Sequence, residues 1–177
     1  MDPNDILIAM KHIFYHLTAV MVVVVWGMTF ISTKVLIVHG LSPQEIFLFR
    51  FLLAYVAVCP ISSHSFFARN LKDELCLAGG GVLGGSLFFF LQNMALGLTQ
   101  ASNVSFIICT APLLTAVLTV LSVRTEKVSR GFIYGSIVAL LGVGLLIFNG
   151  SFILRISPLG DLLTLLASLS WAFYSLV

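Results

Sequence analysis

Residues 75–98 read LCLAGGGVLGGSLFFFLQNMALGL, and after Thr99-Gln100 residues 101–123 read ASNVSFIICTAPLLTAVLTVLSV. Neither run holds an Asp, Glu, Lys or Arg. At a rise of ~1.5 Å per residue, each is long enough to cross the ~30 Å hydrocarbon core of a bilayer. Both must be helices, because a strand edge in lipid leaves backbone donors and acceptors unpaired. A two-residue link then forces an antiparallel hairpin.

Similar runs flank this hairpin at residues 16–38, 44–62, 131–148 and 158–177, so the sequence predicts an all-α, polytopic membrane bundle of about six spans. Between them lie turn and polar segments: Gly40 to Pro43, Ser63 to Glu74, Arg124 to Arg130 and Asn149-Gly150. Composition agrees. Hydrophobic residues make up 59% and charged ones 9% of the 177 residues, against roughly 45–50% and about 25% for a soluble domain. Mean hydropathy is +1.11. The partner that this implies is the lipid bilayer.

A net charge of +2 offers no basic surface, which excludes nucleic acid as a partner. The loop cations are unevenly placed. Lys11, Arg69, Lys72, Arg124, Lys127 and Arg130 fall on one side of the predicted spans and Arg155 alone on the other. The cation-rich side is cytoplasmic, which puts the N-terminus inside a multi-pass protein of the cell membrane. The first apolar run is too long for a signal peptide and no cleavage site follows, so it reads as an uncleaved span.

No HExxH, GxSxG, phosphate-binding glycine loop or buried carboxylate pair is present, so the chain is read as no enzyme and needs no cofactor. His12, His16, His39 and His64 share no metal-ligand spacing. Cys59, Cys76 and Cys109 form no CxxC and read as small core hydrophobes. Asn149-Gly150-Ser151 is a glycosylation sequon in form and a turn in composition.

The candidate site residues lie on apolar helices where polarity needs a reason. Trp26, Phe30 and Lys34 recur every fourth residue and share one helix face, with Thr29 and Thr33 beside them. An unpaired Lys34 at the bilayer centre would cost ~2.5–3.5 kcal/mol; it either faces a cavity or snorkels to the headgroups from one turn inside the helix end. Arg50 cannot lose its proton, so it either bonds backbone carbonyls that tie helix ends together or joins Lys34 in a field that attracts carboxylate-bearing solutes. Gln92 follows Gly85 and Phe88 on one face with Asn93 adjacent, and such amides face protein or water. Asn103, Ile107 and Thr110 share a face of the next helix, where Pro112 removes the donor to the Ile108 carbonyl. Gly80 with Gly84 and Gly81 with Gly85 are small-xxx-small pairs, suited to close packing or to a hinge.

A faint repeat links AVMVVVVWGMTFI around Trp26 with LASLSWAFYSLV around Trp171. Together, WGMTFISTK, SPQEIFLFRFLLA, ALGLTQASNVSFIICTAPLLTAVLTVL and RTEKVSRGFIYGSIVALLGVGLLI resemble the EamA-type repeat of the drug/metabolite transporter superfamily, and GDLLTLLASLSWAFYSLV resembles the start of that family's second repeat. The resemblance implies half of a ten-helix, inverted-repeat transporter. It implies a first five-helix repeat over 16–150 and a loop and first helix of a second repeat over 151–177, while the loop cations make residues 1–15 a cytoplasmic segment. It also implies a small-molecule solute (metabolite, amino acid or drug) exported by alternating access around a midplane cavity. A second half or a second copy would complete that cavity. The rival expectation is a non-transporting membrane subunit or an inactive fragment held together by glycine-rich packing.

Overall fold

The computed structural model describes residues 3–62, 68, 70–122, 128–148 and 157–177. Arg69, Arg124, Glu126, Lys127, Arg155 and the Asn149-Gly150-Ser151 turn lie outside the described residues. Six helices follow one another: α1 Pro3–Val38, α2 Pro43–Val58, α3 Leu71–Leu98, α4 Ala101–Ser122, α5 Arg130–Phe148 and α6 Pro158–Tyr174. No strand occurs among the described residues. Among the described residues three segments, Ile13–Val38, Leu71–Leu98 and Ala101–Ser122, are long and apolar enough to cross a membrane.

Helix ends explain where the sequence-drawn boundaries move. α1 starts at Pro3 rather than near residue 16, with proline's fixed φ suiting the first helical position. It ends at Gly40, whose φ of +100° lets Gly40 and Leu41 donate back to the Ile37 and Leu36 carbonyls. Ser42 then caps α2: its hydroxyl accepts from the Glu45 amide while the Glu45 carboxylate accepts from the Ser42 amide. α2 stops at Val58, short of residue 62, because Pro60 has no N–H to continue the ladder. α3 begins at Leu71, four residues earlier than its apolar run, with Asp73 and Glu74 in its positive first turn.

Two helices are irregular inside the bundle. In α3 the α-helical ends Leu71–Gly80 and Phe88–Leu98 enclose a π-helical stretch, Gly81–Leu87. In α4 the helix is interrupted between Ala101–Ile108 and Ala111–Ser122. Pro112 lies one residue beyond that break and deprives the Ile108 carbonyl of its donor.

Burial is inverted relative to a soluble protein. Val22, Val23, Val24 and Val25 are all exposed, whereas Gln92, Asn93, Thr164, Ser168 and Ser170 are buried. An apolar solvent accounts for that arrangement, since polar groups cost least when they face protein rather than lipid. The core lies where α3 and α6 run antiparallel, with α1, α2 and α4 packed around them. Thr99 meets Gly160, Phe88 meets Trp171 and Gly84 meets Tyr174, so the paired positions descend one helix as they ascend the other. A Cβ on Gly84 would stand 2.5 Å from Cγ of Tyr174. A Cβ on Gly81 would meet nothing within 4 Å. Of the two small-xxx-small pairs, Gly80 with Gly84 therefore makes the close approach to α6.

Candidate solute cavity

Near Thr99 the bundle is pinned shut by backbone carbonyls and small residues. The Lys34 ammonium donates to the Leu96 carbonyl at 2.6 Å and to the Thr99 carbonyl at 2.8 Å. These are the last carbonyls of α3, which carry the negative end of its dipole and lack intrahelical donors. Asn103 donates to the Thr99 hydroxyl at 3.4 Å. Gly160 of α6 is pressed against the Thr99 side chain. On the α2 side, Asn93 donates to the Pro43 carbonyl at 3.5 Å, and a Cβ on Gly97 would stand 3.2 Å from the Pro43 ring.

Farther along, between α1, α3, α4 and α6, the packing opens into a cavity of about 350 Å³. Trp26 and Phe30 of α1, Phe88 of α3 and Trp171 of α6 form its aromatic wall, and Cys109 and Pro112 at the α4 break form the opposite part. Ser105 and Cys109 supply its polar side chains. No charged residue lines it. A second cavity of about 600 Å³ lies on the other side of Trp171, along Gly80, Gly81, Gly84 and Gly85 with Phe89 and Tyr174. Trp171 is thus a partition between the two.

The eight sequence-derived candidates do not converge on one spot. Trp26 and Phe30 line the smaller cavity together. Lys34 is one helical turn away and occupied by the α3 carbonyls, neither in that cavity nor reaching for headgroups. Arg50 lies on α2 with its guanidinium 4.5 Å from the centre of the Phe89 ring, and its Nη1 is buried without a hydrogen-bond partner among the described residues. Thus Lys34, rather than Arg50, ties helix ends together. Gln92 is wholly enclosed and neither amide atom finds a partner among the described residues; Asn93 is enclosed too, and its Oδ1 lacks one there. Thr110 turns its hydroxyl back to the Ile107 carbonyl at 2.6 Å.

Phe88, Ser105, Cys109, Pro112 and Trp171 complete the cavity without having been chosen as site residues. Phe88 precedes Gln92 by one helical turn, and Trp171 stands where the repeat places a counterpart of Trp26; both signals were in the sequence. Cys76 and Cys109 are exposed rather than buried in a core, each beside a cavity. A thiol in the core needs close neighbours on all sides, and each of these two faces open cavity space on one side.

No curated protein and no solved structure matches the chain. A family model does, over residues 13–148, which runs from Ile13 in α1 to the end of α5 and leaves α6 outside the match. With most of its length matched, this membrane-embedded chain belongs to the EamA-like transporter family.

Proposed function

We propose that the protein exports small solutes across the cell membrane, with the cavity between Trp26, Phe30, Phe88 and Trp171 as the place where the apolar body of the solute rests. The observation that carries this reading is the position of the cavity: it lies beside the break in α4, with Trp171 separating it from the π-helical stretch of α3. Helices that are already interrupted bend at small cost, which alternating access requires. The aromatic walls favour flat or aliphatic surfaces of a solute. A charged group has no partner on these walls and would stay outside them. Arg50 lines neither cavity, its guanidinium standing against Phe89 of the larger one, and we assign it to a carboxylate on a solute that displaces Phe89. The N-terminus is cytoplasmic in this reading, and a second half or a second copy closes the open side.

Cys109 gives a direct test, because its thiol lines the cavity. In a variant with Cys59 and Cys76 replaced by serine, a transported solute should slow modification of Cys109 by a small maleimide. The same solute should leave preloaded cells faster when the protein is present, and Trp26→Ala should abolish that difference. If no member of a panel of neutral and carboxylate-bearing solutes both leaves faster and protects Cys109, the cavity is not the transport site.

A further inference from the structure

α6 reaches both interrupted helices through hydroxyl groups. The Ser170 hydroxyl donates to the Leu83 carbonyl at 2.8 Å, inside the π-helical stretch of α3. Leu83 already accepts the Phe88 amide in the wide π turn, so its carbonyl serves two donors. Two residues earlier, the single Ser168 hydroxyl proton is shared between the Thr164 carbonyl of its own helix at 3.1 Å and, more weakly, the Ile107 carbonyl of α4 at 3.4 Å. Ile107 stands just before the α4 break, and its carbonyl also takes the Thr110 amide and hydroxyl. Ser168 is 0% exposed and Ser170 4% exposed, so lipid and bulk water have little access to either bond.

These two carbonyls are not arbitrary acceptors. A π turn or a proline break is where helix carbonyls are loosened from the regular ladder, and where a helix bends when it bends. Trp171 follows Ser170 directly in the chain and lines both cavities. We propose that Ser168 and Ser170 are positioning residues: α6 latches α3 at Leu83 and α4 at Ile107, and the latch sets how open the cavity is during transport. Breaking it frees both interrupted helices to bend and widens the cavity around Cys109, whose thiol is already exposed. The proposal deepens the transport reading above, yet its test needs no solute.

In the variant retaining Cys109 as its one cysteine, Ser170→Ala removes the hydroxyl with almost no change of volume. A membrane hydrogen bond of this class shifts an opening equilibrium by about threefold or more, so Cys109 should react with maleimide about threefold faster or more. The melting temperature should stay near that of the parent, and Ser170→Thr, which restores a hydroxyl, should return the rate towards the parent value. If Ser170→Ala does not accumulate, Ser168→Ala carries the same test on the α4 side. An unchanged Cys109 rate in the accumulating variant overturns the latch, as does a raised rate that Ser170→Thr leaves raised. Failure of the transport reading looks different, since Cys109 would then respond to Ser170 while no solute protected it.

Discussion

The indole rings of Trp26 in α1 and Trp171 in α6 lie with centroids 5.6 Å apart and planes inclined by 38°. They occupy corresponding places in the two similar stretches of the sequence, and Phe88 stands against Trp171 at 4.9 Å. An aromatic pair of this kind contributes about 0.5–1.5 kcal/mol beyond the area it buries. In a double-mutant cycle of Trp26→Ala and Trp171→Ala, melting in detergent should therefore show coupling of about that size. Strictly additive losses would mean that the rings are neighbours without interacting.

The close approach of α3 to α6 makes a prediction about glycines that the spacing alone does not separate. Gly84→Ala puts a methyl group into the Tyr174 ring, with atoms at 2.5–2.8 Å, and overpacking of this sort costs about 1–3 kcal/mol. Gly81→Ala enters open space and should be neutral or slightly stabilising. Folded yield and melting temperature of the two variants check this. Equal behaviour would remove Gly84 from the helix contact.

Gln92 offers a further test, since its amide is wholly enclosed and makes no hydrogen bond among the described residues. An unpaired buried amide costs about 1–3 kcal/mol. Gln92→Leu, close in volume, should raise the melting temperature; a fall would indicate that the amide holds a partner such as an ordered water.

Much of the architecture was legible because a bilayer demands long apolar helices and short polar links. The α3–α4 hairpin follows from Thr99-Gln100, and the α2 start at Pro43 lies one residue from the start of the 44–62 run. The interior was less legible, for physical reasons. Hydrophobic spacing locates the face of a helix but not which neighbour covers it, so Gly80 with Gly84 and Gly81 with Gly85 looked alike. Lys34 and Arg50 both looked like cations needing partners, and only tertiary packing brings the α3 carbonyls to Lys34. Ser168 and Ser170 carry no sequence signal at all, since serine in a membrane helix usually bonds its own preceding turn.

The orientation proposed from the loop cations is open to labelling. Gln100 is exposed in the short α3–α4 link, and Lys72 is exposed at the start of α3, near the opposite end of the same helix. With the cation-rich side cytoplasmic, a cysteine at position 100 should react with an impermeant reagent in intact cells and one at position 72 should react only after permeabilisation. The reverse pattern would invert the topology.

Lys34 and Arg50 should separate cleanly when each is replaced. The Lys34 ammonium satisfies two α3 carbonyls at 2.6 and 2.8 Å, at the helix end whose dipole favours a cation. Hydrogen bonds to a charged group contribute about 1.5–3 kcal/mol. Lys34→Met should therefore lower stability by about that amount and reduce flux in proportion to the protein that remains folded. Arg50 has the opposite profile, because its Nη1 is buried with no partner and its main contact is the Phe89 face, a stack of about 0.5–2 kcal/mol. Removing an unpaired buried charge relieves its desolvation cost, so Arg50→Leu should change stability by less than about 1 kcal/mol, the two effects opposing each other. Its consequence should fall on selection instead. Flux of carboxylate-bearing solutes should drop relative to neutral ones, and Arg50→Lys, which keeps the charge but loses the planar fork, should fall between. Melting curves and paired flux measurements on the three variants decide the matter: an unchanged ratio of anionic to neutral flux in Arg50→Leu would remove Arg50 from solute recognition, and an undiminished melting temperature in Lys34→Met would remove Lys34 from the α3 cap.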